Sequence, residues 1–267
     1  MLPSKEVTSR LANEDAVWVR VDNAQGSVPR EAGAWMAVFG NTVVGTIGGG
    51  HLELQAIEEA RRRLAGADGA PVLRYPLGPA LGQCCGGVVH LGYQRLTAAD
   101  AASLAQRLRT GDTPLALFGG GHVGKALVHV LGTLPFAITW IDSRDEIFPP
   151  EVPDNVRCEH SDPVQAAVAD LAPGSRVLIM SFSHAEDLDI VAACLKRLRE
   201  RADLPYVGLI GSKTKWATFR HRLEERGFRA EELARITCPI GIPGITGKEP
   251  EVIAVAVAAQ LLQTSLP

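Results

Sequence analysis

The stretch LALFGGGHVGKAL at 115–127 constrains the fold more than any other part of the chain. A short apolar run breaks into glycines and resumes at helical spacing. Gly119, Gly121 and Gly124 thereby form G-x-G-x-x-G directly after one expected strand and at the start of one expected helix. Glycine there permits a tight turn and lets the backbone approach a phosphate, whose charge is met by free N–H groups at the helix N-terminus. Asp142 closes the next apolar run about 20 residues on, where such folds place a carboxylate that hydrogen-bonds a ribose hydroxyl. Gly119, Gly121, His122, Val123, Gly124 and Asp142 are therefore candidate binding residues. Arg144 joins them, and its charge leaves open a bare ribose or a 2'-phosphate. The plainer reading of the same glycines is close strand–helix packing without a ligand, and of His122 a structural histidine.

Around that turn the pattern alternates. Strands are expected at 115–118, 137–141, 157–160, 177–182 and 207–210, with helices at 123–131, 163–171, 188–199 and 214–226. A last helix, 250–262, is nearly all apolar and is expected to pack into a domain interface or against a partner. Alternation of this kind predicts an α/β fold, a Rossmann-type parallel sheet with helices on both faces. Ligands of such sheets bind beyond the carboxyl ends of the strands. Ser183, His184, Gly211, Ser212 and Lys213 follow strands there and join the candidates. An exposed loop is the bland alternative for Ser183 and His184, and a solvated first helical turn for Lys213.

The first part reads differently. A β-branched run at 16–21 predicts a strand, and 35–39 with 42–47 flank Gly40-Asn41 as a hairpin. That hairpin ends on Gly48-Gly49-Gly50, and from His51 the residues Leu54, Ile57 and Leu64 keep mainly helical spacing until Gly66. Strands at 72–77 and 88–96 enclose GQCCGG at 82–87, and a helix is expected at 98–109. We place a smaller N-terminal α+β domain at 1–112 and the Rossmann-type domain at 113–267. Arg30, Gly49, Gly50 and Glu53 sit in or beside glycine-rich loops and are candidates, with ordinary surface roles as the alternative. Arg61 to Arg63 after Glu58 and Glu59 read as a solvated helix face.

Composition narrows the function classes. A net charge of -3 from 27 bases and 30 acids gives no field to gather nucleic acid or an anionic membrane, so neither is expected as a partner. Lys5, Glu6 and Arg10 leave no apolar core for a signal peptide, and the apolar run at 252–259 falls short of the roughly 20 residues of a membrane span, so a cytoplasmic protein is expected. Five cysteines, an odd number without an export signal, argue for thiols over disulfides, and no Cys-x-x-Cys spacing supports structural zinc. Cys158, Cys194 and Cys238 lie in apolar surroundings as packing residues.

Several of these segments together resemble the XdhC/CoxI family of accessory proteins, which serve molybdenum hydroxylases. GSVPREAGAWMAVF (26–39) and GTIGGGHLE (45–53) look like the family's Gly-Ser-x-Pro-Arg motif and its glycine turn ending in Glu, and GQCCGG is similar to its Cys-Gly-Gly element. LFGGGHVGKAL, TWIDSR, YVGLIGSKTK and the closing ITCPIGIPGITGKEPEVIAVAVAAQLL resemble its Rossmann domain. The resemblance implies a chaperone that binds molybdenum cofactor (molybdopterin) between its domains, protects it, supports its sulfuration and delivers it to apo xanthine dehydrogenase. A cysteine desulfurase and the target enzyme would be transient partners, and a homodimer is a further expectation. Thiolates suit soft metals, which makes Cys84 and Cys85 candidates and Cys85, in the Cys-Gly-Gly element, the expected metal ligand. SFSHAEDLD departs from the His-Asp beginning associated with this loop in the family, which puts a role for His184 in question. Two other classes stay open: an NAD(P)-dependent oxidoreductase, for which no acid–base set is evident, and a dinucleotide-sensing module.

Overall fold

A computed structural model of the protein describes residues 3–77, 87–109 and 112–264. They fall into two units, 1–110 and 111–267.

In the first unit β1 (Ala16–Gln25), β2 (Trp35–Val38), β3 (Val43–Thr46), β4 (Val72–Pro76) and β5 (Val88–Leu96) form an antiparallel sheet in the order β3-β2-β1-β5-β4. The hairpin turns where Gly40-Asn41 predicts, with Val38 opposite Val43. Period-two alternation sorts β1 onto two faces. Val17, Val19 and Val21 pack under α2 (Gly50–Leu64), while Ala16 and Trp18 face α1 (Pro3–Leu11) and α3 (Ala101–Arg109). Both faces are covered at that end, which is why the sequence there is apolar without a break. The expected helix at 98–109 begins as a 3-10 turn, Ala98–Asp100, capped by Thr97 and Asp100 on each other's backbone. Helix α1 went unread because three charges in its short span hide an apolar stripe on which Val7 and Leu11 are buried.

The second unit carries β6 (Thr113–Phe118), β7 (Phe136–Asp142), β8 (Val156–His160), β9 (Arg176–Ile179), β10 (Tyr206–Leu209) and β11 (Ile236–Thr237), all parallel, in the order β11-β10-β9-β6-β7-β8. Ala116, Phe118, Val177 and Ile179 face a core under α5 (His184–Arg201) and α6 (Lys213–Glu225). Leu115, Leu117, Leu178 and Trp140 face another under α4 (His122–Leu131) and α8 (Pro250–Thr264). Burial on both sides explains the continuous apolar strands. The chain builds β6, β7 and β8 outward in one direction and then returns to place β9 on the other side of β6. The carboxyl ends of β6 and β9 therefore flank the switch point, where open α/β sheets bind ligands.

Four expectations are corrected. The strand expected over 177–182 ends at Ile179, because Ser183 caps α5 and Phe182 turns out to solvent. Helix α5 starts at His184, not 188, so Ser183 and His184 are a helix cap and a first-turn residue, not a loop. The segment 163–171 is a 3-10 stretch, Val164–Asp170, whose carbonyls and that of Leu171 are read by the buried Arg197 guanidinium, itself paired with Asp203 at 2.7 Å. Helix α8 packs inside its own unit through Ala254, Val257, Ala258 and Leu261, although Val255 and Leu262 remain exposed. Among the described residues no helix is long and apolar enough to cross a membrane.

Candidate functional site

The glycine turn after β6 assigns separate tasks to its glycines. Gly119 has φ +118°, a conformation that favours glycine, and a side chain there would run into the Met180 carbonyl of the neighbouring strand end. Gly124 brings α4 onto the Gly119 carbonyl with no room for a Cβ. These two are packing glycines. Gly121 has nothing within 4 Å of a would-be Cβ, and as N-cap of α4 it offers no side-chain acceptor to the helix. His122 is exposed, and Val123 packs into the core beneath. The first turn of α4 is thus an open set of backbone donors at the positive end of a helix, suited to an anion.

Asp142 ends β7 beside that turn as expected, but it is engaged from within the protein. Its carboxylate accepts from the Gly120 amide at 2.6 Å, the Arg144 amide at 3.0 Å, and the Arg144 guanidinium at 2.9 and 3.0 Å. Burial pushes this carboxyl up, yet those hydrogen bonds and the adjacent guanidinium outweigh it and hold the pKa below the ordinary value. Across the switch point, Ser183 Oγ accepts from the Glu186 amide at 3.2 Å, and the His184 and Phe219 rings meet edge to face with centroids 6.2 Å apart. Ser212 caps α6 by accepting from the Lys215 amide at 3.1 Å, Gly211 lies against the Lys215 side chain, and Lys213 is exposed.

Two residues that sequence reasoning missed organise this edge. Asp187, 2 % exposed, accepts from the Ser181 amide and hydroxyl, each at 2.8 Å, and from Lys215 Nζ at 2.7 Å. Lys215 also donates to the Ile210 carbonyl at 2.9 Å. This buried ion pair ties the β9 end to the β10 end. The signal for it was faint: both residues stand in first helical turns just after a serine cap, where charge ordinarily reads as solvated. Cys238, after β11, lies half-buried beside the pair. Burial pushes its thiol up, with Lys215 pulling down and Asp187 pushing up. Cys194 is fully buried, its thiol pushed up to about 12.

In the first unit the motif residues converge. Glu53 reaches back from the first turn of α2 to accept from Thr46 Oγ1 at 2.5 Å, the Ile47 amide at 2.9 Å and the Gly49 amide at 3.1 Å. It is the clamp that shapes the Gly48–Gly50 turn, and Gly50 opens α2. Gly48, at φ +120°, packs on Pro29 and Arg30, so the Gly-Ser-x-Pro-Arg loop rests on the triple-glycine turn. A side chain at Gly87, the last residue of GQCCGG, would run into the Gln25 and Ser27 carbonyls and Val28, so the residue that leads into β5 lies beside the same loop. Arg30 is exposed on the rim of an open groove of about 640 Å³ lined also by Glu31, Trp35, Gly45 and Thr46. Cys84 and Cys85 lie outside the described residues. Among the described residues no group of three or more His, Cys, Asp or Glu is gathered to hold a metal. Arg63 departs from a solvated face: it pairs with Glu59 at 2.8 Å and covers the Tyr93 ring at 4.3 Å.

Comparison with known proteins agrees with this architecture. The Escherichia coli (strain K12) protein YqeB is 29 % identical over 261 residues, which is 91 % of this chain, and the chain spans 42 % of that relative's length. A Bacillus halodurans protein whose crystal structure is described as a xanthine dehydrogenase superposes with a TM-score of 0.75 over 99 % of this chain and 96 % of its own. At 19 % identity that likeness speaks for the fold. The model of the XdhC Rossmann domain matches residues 115–261, and that of the XdhC and CoxI family matches 9–76. With both models matched in order, and the first alone covering more than half of it, the chain belongs to the XdhC and CoxI family.

Proposed function

We propose that this protein serves the maturation of xanthine dehydrogenase by binding molybdenum cofactor, protecting it, supporting its sulfuration and delivering it to the apo enzyme, with a cysteine desulfurase as sulfur donor. The observation that carries the reading is the convergence in the first unit. The Gly-Ser-x-Pro-Arg loop meets the triple-glycine turn at Pro29 and Arg30 and meets Gly87 at Ser27 and Val28, though the three are separated in sequence. Packing alone would not require an exposed arginine on the loop that both glycine positions meet.

The residues fit what such a cofactor brings. Arg30 offers a fork of donors to an anionic or acceptor edge. When bound, the cofactor supplies a soft, sulfur-ligated metal centre. Cys85 is the thiol placed by sequence to approach it or to carry sulfur, with Cys84 its neighbour. Glu53 acts through the turn it clamps, holding Gly48 against Arg30. Serving as carrier requires that binding be reversible, and an open groove suits that better than an enclosed cavity.

The test is an anaerobic titration of the purified protein with molybdenum cofactor, reading retained pterin by fluorescence after oxidation, in wild type, Arg30→Ala and Cys85→Ala. Stoichiometric retention that weakens in both variants is expected. Absence of retention in the wild type would overturn the reading.

A further inference from the structure

The end of β7 carries an arrangement that the proposed role does not use. An ionised carboxylate offers about four acceptor directions. Asp142 has all four filled from inside the chain: Oδ1 by the amide and Nε of Arg144, and Oδ2 by Nη2 of Arg144 and the Gly120 amide. Its side chain is 1 % exposed. A ribose recognises a carboxylate at this position by donating its hydroxyl to it, and here no acceptor is left to receive one.

The guanidinium that fills Asp142 is itself held from the far side. Its carbon lies 4.4 Å from the centroid of the Phe182 ring, a large apolar side chain left 67 % exposed in the loop after β9. A second link joins the same two loops: Glu186 accepts from Ser143 Oγ at 2.8 Å and from the Phe182 amide at 3.2 Å. Because the strand order is β7-β6-β9, these loops flank the glycine turn. A dinucleotide laid along the carboxyl edge, with its pyrophosphate at α4 and its ribose at β7, would meet Arg144 where its ribose should bind.

We propose that Arg144 is a specificity-determining latch: paired with Asp142 and stacked on Phe182, it makes this crevice refuse adenine dinucleotides such as NADH. The first turn of α4 is left to ligands that bring a phosphate without a ribose at β7. The inference stands apart from the proposed role, since it concerns what the crevice turns away. Admitting a ribose requires the bidentate, charge-assisted pair to break first. The apparent affinity for a dinucleotide is then reduced by the small fraction of molecules in which the latch is open.

The experiment is a fluorescence titration of the full chain, freed of bound nucleotide, with NADH, in wild type, Arg144→Ala and Phe182→Ala. Arg144→Ala is expected to bind NADH at least about tenfold more tightly than wild type, with Phe182→Ala between them. Wild type binding as tightly as Arg144→Ala, or no gain in that variant, overturns the latch. Should Arg144→Ala fail to fold with its buried carboxylate unpaired, Phe182→Ala, which alters only an exposed ring, decides alone: a gain supports the latch and none overturns it. Cofactor retention is read in a separate titration, so the two inferences fail independently.

Discussion

Gly-Gly-Gly-His occurs twice in the chain, at 48–51 and at 119–122, each time between a strand and a helix. In both turns the amide of the middle glycine donates to a carboxylate, Gly49 to Glu53 and Gly120 to Asp142. The difference lies in where the carboxylate comes from. Glu53 belongs to the helix that the turn begins, so its own side chain fills the positive end of α2. Asp142 comes from the neighbouring strand, and the first turn of α4 stays uncapped. One sequence signal thus produces a turn that is satisfied by itself and a turn that is open to an anion.

Substitutions can break that contrast. The largest effect is expected for Gly119→Ala, which puts a side chain at φ +118° and into the Met180 carbonyl. Strain and overlap together should cost about 3 kcal/mol or more of unfolding free energy, measured by urea titration. Next is Asp142→Asn, which weakens four hydrogen bonds to a buried charge, for a loss of about 2–3 kcal/mol at neutral pH by the same method. That variant also has a pH signature. A carboxyl lowered on folding adds stability that is fully present above its unfolded value, near 3.8, and lost as pH falls through the lower folded value. The wild type should therefore lose stability more steeply below about pH 3.8 than Asp142→Asn does.

Smaller effects sharpen the comparison. Glu53→Ala should cost about 1–2 kcal/mol, because it strips one acceptor from the Thr46 hydroxyl and two amides. It should also open the first turn: sulfate should raise the melting temperature of Glu53→Ala more than that of wild type. An equal response would mean that Glu53 does not occupy an anion position. The smallest change in stability is expected for Gly121→Ala, within about 0.5 kcal/mol, since its Cβ meets nothing within 4 Å. The same added methyl should still weaken sulfate binding at the α4 turn, so stability and binding separate at this residue.

Much of the fold was legible because its signals are local. Apolar runs of strand length, glycines at turns and the Gly40-Asn41 hairpin gave the sheets, and both glycine turns lie where their spacing predicts. What stayed hidden depends on partners distant in sequence. Asp187 and Lys215 pair across 28 residues, and each alone looks like a helix-start charge facing water. The 3-10 stretch at Val164–Asp170 has a helix-like composition, and the arginine that holds it is 26 to 29 residues further on. Asp142 was read as free to meet a ribose because its identity and position can be seen in the sequence, whereas the use Arg144 makes of its oxygens depends on side-chain geometry. Glu53 was similarly placed beside the right loop without its clamping role.

The most direct measurement of the central claim is transfer. The protein is loaded anaerobically with molybdenum cofactor, freed of excess, and mixed with apo xanthine dehydrogenase while enzyme activity is followed. The account predicts that activity returns, with a higher yield than from the same amount of free cofactor. A loaded protein that restores no more activity than free cofactor would contradict it.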